Sequence, residues 1–206
     1  MARGLYYPPG LIYDGILEPL LRSLRKKVRN LIIKNDLFPV LDLCCGPGAQ
    51  ARWLAGQGRF SCGLDISLGM LKYAAVRRED IPFVCADAAQ TPFRPAAFKG
   101  IVISFALHEK SAQLRPRLLA EAKRLLMKDG LIVLVDFERP WDRISRLAYL
   151  GLWPIERLAG EDHFRNGRDF LAKGGLRALL RENGLRELER DEISAGTCAV
   201  VIAAPG

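Results

Sequence analysis

The chain has 206 residues, 50% of them hydrophobic, enough to bury a substantial core as a single domain, 1–206, without disulfides or a structural metal, and too apolar for a disordered chain. Lys and Arg number 31 against 23 Asp and Glu, a formal charge of +8 that can steer anionic partners or simply solvate the surface. No apolar run approaches the roughly 20 residues of a membrane span, and MARGLYYPPG lacks the charged-then-apolar pattern of a secretory signal, so a cytoplasmic location is expected.

Five cysteines, Cys44, Cys45, Cys62, Cys85 and Cys198, are odd in number and form no CxxC pair. With only two histidines no zinc-type ligand set is evident, so no metal is expected. Reduced cysteines filling strands are favoured over redox chemistry.

In chain order, 12–34 reads as an amphipathic helix. Ile16, Leu17, Leu20, Leu21, Leu24 and Val28 recur at helical spacing, and Pro19 marks a kink or a later start. Strands are expected at 38–44, 60–65 and 82–86, with helices at 49–55 and 68–78 between them. GIVISF at 100–105 is a continuous apolar run, as a strand covered on both faces requires. A helix over 111–127 becomes regular near Leu114, after which Lys128-Asp-Gly130 reads as a turn and LIVLVDF at 131–137 as a buried strand. The alternation argues a parallel sheet with right-handed crossovers. It ends differently: 185–192 and 197–203 read as a hairpin joined by Ser-Ala-Gly. The segment at about 139–173 interrupts the alternation. It carries Trp141, Trp153 and Phe164 and reads as a lid-like insertion.

VLDLCCGPG at 40–48 raises the first chemical question. In open α/β sheets, ligands bind beyond the carboxyl ends of the strands. Gly46 and Gly48 allow a sharp turn and a close backbone approach to a ligand. The following helix start suits a carboxylate or phosphate. Asp42, four residues before Gly46, suits a ligand ammonium and is ill placed for a pyrophosphate. Asp65 ends the second strand, beside the glycine loop, where a carboxylate can accept from two ribose hydroxyls. Asp87 ends the third strand, where it can meet an adenine amino group. One such acid is commonplace; three on successive strand ends beside a glycine loop point to a nucleoside ligand.

VLDLCCGPG, GLDIS, VCADAAQTPF, IVISFALHE and LLMKDGLIVLVDF, in that order, resemble the class I S-adenosylmethionine-dependent methyltransferases. The group they are most similar to is that of the ubiquinone and menaquinone C-methyltransferases and their small-molecule relatives. The resemblance implies a Rossmann-like three-layer α/β sandwich. Its sheet is seven-stranded and mostly parallel, of order 3-2-1-4-5-7-6 with strand 7 antiparallel, an order that periodicity alone does not supply. It implies S-adenosylmethionine as cofactor. Asp42, Cys44, Gly46 and Gly48 would line its methionine end and Asp65 its ribose. Ile66 and Met70 would pack on the adenine, Asp87 and Ala88 would meet its edge, and Phe105 would sit near the methionine. Pro47 departs from the small polar residue usual in this group and removes a backbone donor.

A sulfonium methyl is already activated, so alignment and water exclusion carry much of the barrier and a dedicated base is optional. His108, just past the fourth strand, is the candidate catalytic base, with a polar loop residue contacting backbone or cofactor as the alternative. Glu109 reads as a helix-start carboxylate. Tyr13, Trp141, Trp153, His163 and Phe164 are candidate substrate-lining residues, with structural packing an equal reading for the aromatics. The expected function is methyl transfer to a small-molecule acceptor, such as a quinone-like or other apolar ring compound. Three other readings stay open: a methyltransferase on RNA or protein, a non-catalytic cofactor-binding scaffold, and a nicotinamide-dependent oxidoreductase. No Asn-Pro-Pro-Tyr or Asp-Pro-Pro-Tyr stretch follows the fourth strand, so a nucleic-acid partner is not favoured. The sequence leaves the oligomeric state open.

Overall fold

The computed structural model describes residues 18–56, 59–78, 80–147, 149, 157 and 160–206. Helix α1, Glu18–Lys34, leads into strand β1, Val40–Leu43. Then follow α2 (Ala49–Leu54), β2 (Ser61–Asp65), α3 (Leu68–Arg77), β3 (Phe83–Cys85) and β4 (Phe98–Ser104). Helix α4 (Leu114–Leu125) leads into β5 (Leu126–Phe137). Residues 143–147 are helical, and α5 (Glu161–Ala172), α6 (Gly175–Glu182), β6 (Leu185–Ile193) and β7 (Cys198–Pro205) complete the order.

The seven strands form one sheet in the order β3-β2-β1-β4-β5-β7-β6. β1 to β5 pair in parallel, and β7 runs antiparallel to both β5 and β6. This is the order and the reversed last strand that the resemblance implies. A parallel sheet needs cover on both faces, and the alternation of side chains provides it. Val40, Val102, Val133, Val135, Val200 and Ile202 point to one face and pack with Leu24, Val28, Leu31 and Ile32 of α1. Leu41, Leu43, Ile101, Ile103, Ile132 and Leu134 point to the other, against Leu118 and Leu119 of α4, Phe170 of α5 and Leu176 and Leu180 of α6. Each such side chain contributes about 1.5–3 kcal/mol on burial, so these two layers fix the strand ends relative to one another.

One local expectation changes and one is met over the part described. Among the described residues the first helix is Glu18–Lys34. Residues 12–17 of the expected helix lie outside the described residues. The Lys128–Gly130 turn is absorbed into β5: Phe98 pairs with Leu126 and Gly100 with Leu131, so two steps on β4 oppose five on β5. The turn residues thus form an irregularity inside a ladder rather than ending it. At the closing hairpin Ser194, Ala195 and Gly196 all take positive φ, which lets β6 and β7 turn back tightly.

Candidate active site

Three strand ends and one buried acid build the first half of the site. After β1 the chain turns through Cys44 (φ 64), Gly46 (φ 52) and Gly48 (φ 71). Nothing stands within 4 Å of the place a Gly46 Cβ would occupy, so that side of the loop is open. At Gly48 the reason for glycine is different: a Cβ would lie 2.8 Å from Ala74 Cβ and 2.9 Å from Phe83 Cζ. Gly46 leaves that side open, whereas Gly48 lets α3 and β3 pack against the loop.

Asp65 closes this loop from the neighbouring strand. One carboxylate oxygen accepts from the Gly46 N–H at 2.8 Å, the other from the Ser67 N–H at 2.8 Å. It remains half-buried, and each oxygen keeps a lone pair for another donor. Ile66 beside it is 70% exposed, a bare apolar surface next to that carboxylate. Met70 is half-buried on the first turn of α3, where its N–H donates to Ser67 Oγ. Asp87 is exposed and accepts from the Ala89 N–H at 2.8 Å, with Ala88 buried beside it.

Asp42 is only 2% exposed. Burial pushes its carboxyl up to about 7, against the opposing pull of Arg25 and of a hydrogen bond from the Ala51 N–H. Its Oδ2 has no hydrogen-bond partner, nor has the buried Ser104 Oγ at the end of the adjacent β4. Buried polar atoms are nearly always satisfied. Two orphans at neighbouring strand ends, with open space at Gly46, fit a polar ligand that carries an ammonium group. Burial also pushes the Cys44 thiol up to about 12 and Cys62 up to about 11. These thiols are neutral near pH 7, which agrees with packing rather than redox chemistry.

The second half of the site lies past β4. Phe105, half-buried with φ 51, packs edge-on to Phe137 at 5.8 Å. His108 is 3% exposed, and its Nδ1 lies 2.7 Å from Asp136 Oδ1. Asp136, fully buried at the end of β5, also accepts from the backbone N–H groups of Leu107, His108 and Phe137. An acceptor with four donors defines the imidazole tautomer: Nδ1 carries the proton and Nε2 is the basic atom. His163, on α5, stacks edge-on to His108 at 5.1 Å, and its Nδ1 lies 3.5 Å from Glu109 Oε2. Burial favours the neutral form of Glu109, but His163 and Lys110 overcome it and hold the carboxyl down to about 2. Two imidazole–carboxylate pairs therefore sit against one another, His108 inside and His163, 21% exposed, outside.

Arg115 ties this array to α5. Buried to 3%, it donates to the carbonyl oxygens of Leu107, His108 and Asn166, pairs with Asp169 at 2.8 Å, and lies over the Phe170 ring. Asn166 Nδ2 donates to the Glu109 carbonyl. These contacts tie the loop after β4 to the 161–172 helix.

Asp42, Cys44, Gly46, Gly48, Asp65, Ile66, Met70, Asp87, Ala88 and Phe105 thus fall on neighbouring strand ends and the loops that follow them, and His163 joins His108. Phe164 lies half-buried on α5 between Arg157 and Arg168, each within 6 Å of its ring (5.7 and 5.9 Å). Trp141 is 69% exposed, beside the β6–β7 turn at Gly196. Tyr13 and Trp153 lie outside the described residues. Glu109, read from sequence as a helix-start carboxylate, precedes α4 by several residues and pairs instead with His163 and Lys110. Asp136 and Arg115 were not singled out in the sequence. An acid closing the otherwise apolar LIVLVDF strand was the available signal for Asp136; Arg115 gave none, since its partners come from distant segments.

Residues 40–130 match the family model described as a methyltransferase domain. The 2-phytyl-1,4-naphthoquinone methyltransferase of Thermosynechococcus vestitus is 30% identical over 215 residues, covering 93% of each chain. The demethylmenaquinone methyltransferase of Beutenbergia cavernae is 31% identical over 172 residues, covering 78% of this chain and 71% of that one. With the demethylmenaquinone methyltransferase of Renibacterium salmoninarum the likeness, 37% over 101 residues, covers 49% of this chain and 42% of the relative. The chain thus spans under half of that relative's length. Among solved structures, the PH0226 protein of Pyrococcus horikoshii superimposes with a TM-score of 0.65 at 18% identity, over 90% of this chain and 91% of that one, which speaks to the fold. Sheet order, strand-end acids and these relatives agree: the chain belongs to the class I S-adenosylmethionine-dependent methyltransferases, in the group that includes the demethylmenaquinone and phytylnaphthoquinone enzymes.

Proposed function

We propose that this chain transfers the methyl group of S-adenosylmethionine to a small apolar ring compound of the quinone type, in the cytoplasm. The observation that carries the acceptor reading is the pair of imidazole–carboxylate contacts past β4, where a ring hydroxyl would need to lose its proton. The bound cofactor would supply an activated methyl on a sulfonium. The chain's own residues do the rest. Asp42 and the glycine loop hold the amino-acid end, Asp65 the ribose, and Ile66 and Asp87 the adenine. His108, its tautomer fixed by Asp136, has Nε2 as a proton acceptor. Its ring stands against His163, the more exposed of the two imidazoles, whose partner Glu109 would stabilise positive charge on the pair. α5, bracketed by Arg115, closes over the site and excludes water, the role proposed for the 139–173 segment.

The test is methyl transfer from labelled S-adenosylmethionine to reduced naphthoquinones and benzoquinones, followed by mass spectrometry. Methylated ring product is expected. His108→Ala should lower turnover by about 10²–10⁴-fold while leaving S-adenosylhomocysteine affinity unchanged. No product from any quinol, with transfer to RNA or protein instead, would overturn the acceptor class. Unchanged turnover in both His108→Ala and His163→Ala would discard the proton-transfer role.

A further inference from the structure

Trp141, Ile144 and Leu147 are 69%, 66% and 69% exposed, among the most exposed large hydrophobic side chains of the described residues. They recur every third residue, across the start of the helical stretch at 143–147, so they share one side of it. The start is firmly capped: Asp142 accepts from the Ser145 N–H at 2.7 Å, and Ser145 Oγ accepts from the Asp142 N–H at 3.2 Å. The opposite side faces the protein. Ser145 is fully buried, and the Tyr149 ring lies 6.2 Å from Phe137, itself 4.7 Å from His108. One face of this segment therefore helps floor the candidate site while the other presents bare apolar side chains to the outside.

The charges around that face decide what it fits. Arg139, Arg143 and Arg146 are exposed and alternate with the apolar residues, and the single acid between 139 and 147, Asp142, is engaged in the cap. A tryptophan with an apolar body and a polar N–H, flanked by long basic side chains, is the composition of a helix lying in a lipid interface. Anionic headgroups complement the arginines. Three side chains on two turns fall short of the roughly 800 Å² per partner of a stable protein interface. No described helix is long and apolar enough to cross a membrane, so the contact is one of surface docking.

We propose that the Trp141–Leu147 face docks on an anionic lipid bilayer. The docking itself assumes nothing about the methyl acceptor. Its consequence, that an apolar acceptor reaches the site from the lipid, rests on the quinone-type reading above.

The test is co-sedimentation of the full chain with vesicles of phosphatidylcholine alone or mixed with phosphatidylglycerol, at low and high salt. The chain should bind the mixed vesicles, bind neutral ones at least about tenfold more weakly, and release in high salt. Ile144→Ser with Leu147→Ser should cut binding at least about tenfold. Arg139→Gln, Arg143→Gln and Arg146→Gln together should weaken it and flatten its salt dependence. Each variant should keep the wild-type melting temperature and affinity for S-adenosylhomocysteine, which shows the fold and cofactor site intact. Failure of the wild-type chain to bind phosphatidylglycerol vesicles overturns the proposal, as does binding that neither variant changes. So does sedimentation equilibrium showing a wild-type dimer that Ile144→Ser with Leu147→Ser dissociates, because the occupant would then be a second copy. A failure of the methyltransferase reading would appear separately, as absent S-adenosylhomocysteine binding without any vesicle present.

Discussion

Lowering the pH from about 8 to about 6 should weaken S-adenosylmethionine binding about three- to fivefold, with Asp42 as the titrating group on the protein. Burial lifts the Asp42 carboxyl to about 7, while a ligand ammonium needs the ionised form. With a midpoint near 7, roughly nine-tenths of the groups are ionised at about pH 8 and roughly one-tenth at about pH 6. Apparent affinity scales with the competent fraction, so Asp42 alone costs about tenfold, or ~1.4 kcal/mol. The ligand's own α-amino group titrates near 7.7–8.0, so only about a third to a half of it is charged at about pH 8, and gaining that charge on acidification reduces the net loss to about three- to fivefold. Without ligand the sign reverses. A raised carboxyl stabilises the fold in its protonated form, fully below about pH 4 and progressively less as the pH rises through about 7. The assay is calorimetry from about pH 6 to 8 in two buffers of different ionisation heat, which counts the protons released. Asp42→Asn should bind more weakly and lose the slope below about pH 7. A flat wild-type profile, or an Asn variant with the same slope, would refute the assignment of the ammonium to Asp42.

Gly48→Ala should destabilise the fold by about 2–4 kcal/mol, from strain at positive φ together with contacts under 3 Å to Ala74 and Phe83, read by chemical denaturation. Arg115→Ala should cost on the order of 3 kcal/mol, because three carbonyl oxygens and Asp169 lose a buried donor. Hydrogen exchange in the same variant should rise at 105–110 and 161–172 together; a rise in one segment alone would contradict the bracket. Asp136→Asn should lower turnover more than it lowers S-adenosylhomocysteine affinity, since it disturbs the His108 tautomer rather than the cofactor half of the site.

The proposed cofactor half is the half legible in the sequence. Each of its groups is local: a glycine pair just after β1, an acid at the end of β2, another at the end of β3. Strand ends can be read from apolar runs, and parallel pairing then brings them side by side. The acceptor half is built from long-range contacts. Asp136 meets His108 across 28 positions, His163 approaches from α5, and Arg115 joins segments 51 to 54 residues apart. No periodicity encodes such pairings. His108 could be picked out, but its burial and its carboxylate could not. The 128–130 segment differs from its sequence pattern for a related reason: Lys-Asp-Gly has turn chemistry, and only the pairing of β4 with β5 draws it into a ladder.

The most direct measurement is a calorimetric titration of the full chain with S-adenosylmethionine and S-adenosylhomocysteine, with NAD as control. On the proposed reading two ribose hydroxyls donate to the Asp65 carboxylate, and hydrogen bonds to a charged group are worth about 1.5–3 kcal/mol each. Saturable binding of both adenosyl ligands is predicted, weakened about 100-fold or more by Asp65→Ala, with no binding of NAD. Wild-type chain that binds neither adenosyl ligand, or an Asp65→Ala variant that binds as tightly as the wild type, would contradict the account.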